Sequence, residues 1–286
     1  MVLSGSTVLA MPKRFSTVRG REFGDGLRAA IAATGMTSRA VADLLNWQEA
    51  KLSDLVNGKG GSTELELALL LGVCRTSQAE RDHLMSLFPG TGVKGWWQDH
   101  GVCAPISPRT LVEHERLAEK LISWQTMLLH GMLQTSDYTR AVLAACVNVP
   151  ADEREARVAA RALRQEAFRS GLEARFFIPE PVLLNEVGGP GVMREQLLHL
   201  DKLAARPSID LRVVPLGVGA HAGMAGSFDM LTFDRYDDAV FLESENSSLI
   251  IESPGAVKAY RRIVEGLELV ALDAEQSREL IKKLLT

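Results

Sequence analysis

The sequence predicts a mainly α chain with an α+β part: a compact head of five short helices, then a longer helical segment followed by a small mixed β-sheet with helices. Three observations predict it. Between Arg21 and Phe88, apolar residues recur every three or four positions and are interrupted by Gly35, Asn46 and Asn57-Gly58. A Pro89-Gly90-Thr91-Gly92 run then breaks the pattern. Beyond Gly171, short runs rich in Val, Ile, Phe and Leu alternate with turn residues, which is strand-like.

The head reads in order as follows. Phe23, Leu27 and Ile31 fall four apart, giving an amphipathic helix over residues 21–34 that Gly35 closes. Thr37 or Ser38 caps a second helix with Val41, Ala42, Leu44 and Leu45 on its inner side. Asn46 interrupts, and a third helix spans residues 47–56 with Leu52 and Leu55 facing inward. Thr63 with Glu66, and Ser77 with Glu80, have the spacing of capping boxes and open two more helices. This gives a tail over residues 1–20 (with Met11 as an alternative start), a head over 21–88, a linker over 89–95 and a larger domain over 96–286. In that domain, helices are expected over 108–129, 136–146, 152–170, 192–205, 254–272 and 274–285. Strands are expected over 175–178, 209–215, 228–233, 240–243 and 248–251.

Composition excludes several classes. With 46% hydrophobic and 24% charged residues, the chain has material for a core and is neither disordered nor fibrous. Cys74, Cys103 and Cys146 are far apart and odd in number, which argues against a disulfide scaffold or zinc knuckle and fits a reducing cytoplasm. No run approaches the roughly 18 apolar residues of a membrane helix. Residues 4–62 hold eight Lys and Arg against five Asp and Glu, so a basic head sits before an acidic body.

Residues 38–57 carry the spacing of a helix-turn-helix. A small residue, Ala42, stands where two steeply crossing helices meet, and Asn46 stands where the turn needs positive φ. Val41, Leu45, Leu52 and Leu55 form the wedge between the helices. The outer, groove-facing side then holds Gln48, Glu49, Ala50, Ser53, Asp54 and Asn57, with Ser38, Arg39, Lys51 and Lys59 as further candidates for contact with double-stranded DNA. Glu49 and Asp54 repel phosphate, but a carboxylate also accepts from cytosine N4.

The run Val41-Ala42-Asp43-Leu44-Leu45-Asn46-Trp47-Gln48-Glu49-Ala50-Lys51-Leu52-Ser53, closed by Asn57-Gly58-Lys59, resembles the xenobiotic-response-element (Cro/repressor-like) helix-turn-helix family, most of all its actinobacterial branch. Ser38 and Asp54 depart from it, standing where Gln and a basic residue are common. Trp96-Trp97, the segment from Leu129 to Arg140, Arg157 to Gln165, Val213-Val214-Pro215, Gly226-Ser227-Phe228 and Glu243 resemble the C-terminal domain of the same regulators, with His130 where that group has Pro. The resemblance implies a transcription regulator, and a small partner protein encoded nearby that modulates it. It implies no agreed enzymatic activity.

Arg154, Arg157, Arg161 and Arg164 fall on one helical stripe. An acidic ligand or partner docks on such a stripe; alternatively it is a solvated face paired with Glu153, Glu155 and Glu166, or with Glu180 and Glu243. His221, in the glycine-rich stretch 217–226, is the one histidine in a plausible site. That stretch lacks the Gly-Lys-Ser/Thr ending of a phosphate loop. No metal spacing and no Gly-x-Ser-x-Gly elbow occurs, so no catalytic residue, metal or cofactor is expected. The expected function is a cytoplasmic, homodimeric DNA-binding regulator tuned through its C-terminal domain by a small protein or ligand. The alternative is an antidote-like interaction protein that keeps the fold of the head but acts on a protein partner.

Overall fold

The computed structural model describes residues 17–57, 62–105, 108–169 and 171–285. The chain divides into two compact units after Gly92.

The first unit is five helices: α1 (Val18–Ala33), α2 (Ser38–Leu44), α3 (Glu49–Val56), α4 (Glu64–Val73) and α5 (Gln78–Leu87). Helix α1 starts three residues before Arg21, because Thr17 caps it: its hydroxyl accepts from the Gly20 N–H at 2.9 Å and donates to the Thr91 carbonyl at 2.6 Å. Phe23, Leu27, Val41, Ala42, Leu52, Leu55, Leu67, Leu70, Leu84 and Leu87 form the core, each at most 1% exposed. The Thr63 and Glu66 capping box is complete, and the Ser77 hydroxyl accepts from the Glu80 N–H at 3.3 Å. Residues 89–92, read above as linker, are folded onto α1. Gly90 lies in a 3-10 turn (Phe88–Gly90), and a Cβ there would come within 2.1 Å of the Arg19 guanidinium. Leu44 was expected inside but is 64% exposed, and on α4 Leu65 and Leu69 are 71% and 53% exposed.

The second unit is built on one seven-stranded mixed sheet in the order β1-β7-β6-β5-β2-β3-β4. In chain order its elements are β1 (Trp96–Asp99), α6 (Arg109–Leu117), β2 (Lys120–Trp124), α7 (Ser136–Ala145), α8 (Arg154–Arg164), β3 (Glu173–Pro179), α9 (Glu180–Leu184), α10 (Pro190–Ala204), β4 (Ile209–Val214), β5 (Phe228–Thr232), β6 (Ala239–Glu243), β7 (Ser247–Ile251), α11 (Pro254–Glu268) and α12 (Ala274–Lys283). Strands β2, β3 and β4 run parallel, and β5, β6 and β7 form an antiparallel meander whose free edge β1 closes. The parallel pairs need helical crossovers, supplied by α7 and α8 and then by α9 and α10.

Two strands correct the sequence reading. The helix expected over 108–129 ends at Leu117, and residues 120–124 form β2, an interior strand of the sheet. Leu117, Leu121 and Trp124 have helical spacing, but Leu121, Ile122, Ser123 and Trp124 are all buried, as in a strand covered on both faces. β1 escaped notice because it is four residues long and lies at an edge. Among the described residues, no helix is long and apolar enough to cross a membrane.

Candidate nucleic-acid interface and an arginine-lined cavity

In the first unit the turn between α2 and α3 is as its residues require: Asn46 takes φ 53°, a left-handed conformation that Asn tolerates better than most side chains. Ala42 and Val41 are fully buried where α2 meets α3, and the Trp47 N–H donates to the Ala42 carbonyl at 2.9 Å, which closes the C-terminal end of α2. At the far end of α3, Arg28 donates to the Val56 carbonyl, placing a cation at a helix C-terminus.

Of the candidate DNA-contacting residues, Ser38, Arg39, Gln48, Glu49, Ala50, Ser53 and Asn57 are exposed, and Asp54 is half-buried. Lys59 and the tail with Met11 lie outside the described residues. The Asn57 side chain bonds back to the Ser53 carbonyl at 2.7 Å. Arg39 pairs with Glu49 at 3.2 Å, both highly exposed. Lys51 is the departure. It is half-buried, ion-paired with Glu66 of α4, and its Nζ lies 4.8 Å from the centre of the Trp47 ring. Its ammonium joins α3 to α4, a role the sequence spacing did not signal.

In the second unit, α8 brings Arg157, Arg161 and Arg164 to one cavity of about 330 Å³. Arg154 and His221 are not part of it. His221 instead accepts from the Gly223 N–H at 3.1 Å and stacks edge-on against Trp124, whose indole N–H donates to the Gly223 carbonyl at 2.7 Å. Both anchor the glycine-rich loop to the core.

The three arginines are used differently. Arg157 gives two bonds to Glu153 Oε2, at 3.1 and 2.7 Å, and one to the Ala104 carbonyl at 2.7 Å. Arg164 forms a two-pronged pair with Glu115, which is 1% exposed. Arg161 donates once, from Nη1 to Gln134 Oε1 at 2.9 Å. That oxygen also accepts from the Thr139 hydroxyl at 3.0 Å, and the Gln134 amide N–H is committed to the Leu129 carbonyl at 2.7 Å. Burial lowers the Arg161 guanidinium from its ordinary value, and the like charge of Arg164 adds to this.

Nearby His130 is 5% exposed. Its Nδ1 accepts from the Met132 N–H at 3.3 Å, and its Nε2 faces buried Asp229 at 3.4 Å. Burial alone raises the Asp229 carboxyl, but His130 and Arg164 outweigh it and hold it below the usual carboxylate range. Glu243, at the end of β6, is exposed to the cavity's open space yet ringed by protein. Burial pushes its carboxyl up, with Asp229 and Glu115 adding to the effect and Arg164 opposing it. Gly131 lets Arg161 and Arg164 approach: a Cβ there would stand 3.3 Å from each. Sequence reasoning found the arginine stripe but not the partners Glu115, His130, Gln134 and Asp229, which come from three other segments. Among the described residues, no group of three or more His, Cys, Asp or Glu could hold a metal.

Two family matches divide the chain along the same lines. Residues 22–84 match a helix-turn-helix domain, and residues 108–283, more than half of the chain, match a domain of unknown function, DUF5753. No curated protein matches. A solved structure titled as that of TrmBL2, an archaeal chromatin protein with a novel mode of DNA binding, is 14% identical, covers 73% of this chain and 66% of that chain, and superposes with a TM-score of 0.32. The match spans just under two thirds of that protein, and a TM-score this low supports no functional inference.

Proposed function

Because this chain belongs to the DUF5753 family and carries a helix-turn-helix domain ahead of the family's region, we propose that it is a DNA-binding transcription regulator whose second unit tunes the first. The observation that carries this reading is the α2–Asn46–α3 geometry, with Gln48, Glu49, Ala50, Ser53 and Asn57 exposed along and beside one helix. A helix presented this way reads base edges in the major groove, while Ser38 and Arg39 at the start of α2 contact the backbone. In this proposal the head over 21–88 binds DNA and the region 96–286 receives the signal. Two copies bind together, and a small protein or ligand acts beyond Trp96. The protein works in the cytoplasm and catalyses no reaction.

One observation favours the second reading, an interaction protein that retains the fold of the head. Arg28, Arg39 and Lys51 are each paired with a carboxylate (Asp25, Glu49 and Glu66), which offsets the positive charge these three would offer to phosphate.

The two readings separate by titrating the full chain onto a duplex from upstream of its own gene while following fluorescence anisotropy across salt concentrations. A regulator gives a log affinity that falls linearly with log salt. Ser53→Ala and Glu49→Ala then each cost about 1–3 kcal/mol of discrimination between sequences where the side chain reads a base. Absence of salt-dependent binding, together with a stable complex with a protein partner, would establish the second reading instead.

A further inference from the structure

We propose that the cavity over α8 binds a small carboxylic acid with an apolar body. Its carboxylate is held by Arg161, and its hydrocarbon part lies against Leu129, Val142, Leu143 and Val149. The regulatory consequence rests on the reading above, that the second unit tunes the head; the binding itself does not.

Arg157 is taken up by Glu153 and a carbonyl, and Arg164 by Glu115. Arg161 differs. A guanidinium carries five N–H donors, and this one gives a single bond to an amide oxygen that already accepts from Thr139. No carboxylate of the described residues lies within 4.0 Å of it. Glu243 lines the same cavity but does not pair with it. Glu243 attracts the crowded Arg161 guanidinium only from beyond ion-pair distance, and a guanidinium so placed is costly unless a closer counter-charge is supplied. The group that fits its planar fork is a carboxylate.

The surroundings narrow the ligand further. A volume of about 330 Å³ is at the small end of ligand sites, which run from roughly 300 to 1,000 Å³. Glu243 lines the cavity, and Asp229 and Glu115 lie close enough to affect its ionisation, so a doubly charged anion such as phosphate enters beside acidic groups. A singly charged carboxylate meets less repulsion. The Glu243 carboxyl is raised from its ordinary value, by burial first, which eases its repulsion of a singly charged anion. The same arginines and Glu243 also border a smaller hollow of about 100 Å³ that reaches Pro105 and Pro108, giving room for a short extension.

The test is calorimetric titration of the full chain with hexanoate. Hexanamide serves as its uncharged counterpart and inorganic phosphate as a second anion. We expect hexanoate to bind at millimolar concentration with one site per chain, and hexanamide and phosphate to bind at least roughly tenfold more weakly. Arg161→Gln should lower hexanoate affinity by a similar factor while circular dichroism and thermal unfolding remain those of a folded protein. Arg161→Lys, which keeps the charge but loses the fork, should fall between. The comparison of hexanoate with hexanamide needs no variant, so it decides the matter even if substitution unfolds the protein. Equal binding of the two, preference for phosphate, no hexanoate heat, or full affinity in a folded Arg161→Gln would each overturn the proposal. Repeating the DNA titration at saturating hexanoate separates the two readings. A changed affinity supports both, and hexanoate binding without any change upholds the carboxylate site while overturning the tuning of the head.

Discussion

Arg164 and Glu115 form a two-pronged ion pair, Nε to Oε2 at 3.0 Å and Nη2 to Oε1 at 2.6 Å, with the two side chains only 10% and 1% exposed. Burial lowers the Arg164 guanidinium, but Glu115 outweighs it, so the group is held above its ordinary value. The pair ties α8 to α6 across 49 residues of sequence. It also fixes the helix on which Arg161, one turn earlier, lines the cavity.

Removing one partner of such a pair leaves a buried charge unmatched, which costs more than the pair itself contributes. Glu115→Gln is therefore expected to destabilise the second unit by about 3–5 kcal/mol. Urea denaturation followed by tryptophan fluorescence measures this, since Trp124 lies in the sheet core. The double variant Glu115→Leu, Arg164→Met should recover much of the loss. A single variant as stable as the parent would show that the pair is solvated in solution.

Glu243 gives a pH dependence of the opposite sign to most carboxylates. Its folded value is raised, by burial first and then by Asp229 and Glu115. Between the unfolded value and the raised folded one, the native state holds more protons, so stability falls as pH rises through that window. Glu243→Gln cannot ionise. It should match the parent at pH below the window and exceed it increasingly through the window. Denaturation midpoints across a pH series check this, and a variant that loses stability as pH rises would reverse the assignment.

Much of the head was legible in the sequence because its signals are local. Asn46 at the turn, Gly35 at a helix end and Thr63 with Glu66 at a cap each act within a few residues, and the structure has all three. The inward set Phe23, Leu27, Ile31, Leu52 and Leu55 follows from helical spacing alone. Leu44 misled because an apolar residue need not be inside. β2 misled for a different reason: a strand buried on both faces has no alternation to display. At the cavity the arginine stripe was visible as a periodicity. What each arginine does depends on partners such as Glu115 and Gln134, which only the fold brings near.

The left-handed turn residue offers a backbone test. At φ 53°, a side chain that cannot bond locally is strained, by roughly 1–2 kcal/mol. Asn46→Ala should destabilise the head by about that much, whereas Asn46→Gly should be tolerated, since glycine adopts positive φ at no steric cost. Arg75, at φ 51° after α4, should likewise accept glycine. Equal stability of the Asn46 alanine and glycine variants would mean that the turn relaxes to another conformation.

Lys51 separates a structural role from a DNA-contacting one. Its ammonium donates to Glu66 Oε1 and lies over the Trp47 ring, and Glu66 itself accepts the Thr63 N–H at 2.8 Å to cap α4. The Lys51 bond first, then that backbone N–H, hold the Glu66 carboxyl below its ordinary value. A depressed folded value contributes stability that is present above the unfolded value and is lost as pH falls through the folded one. Lys51→Met keeps a side chain of similar length but removes the charge. Its head should be less stable than the parent at neutral pH, and the two curves should converge in acid, where Glu66 is protonated in both. If this engagement persists on DNA, Lys51→Met leaves the slope of log affinity against log salt unchanged, since no phosphate contact is lost. A slope reduced by about one would show that Lys51 leaves Glu66 for a phosphate when DNA binds.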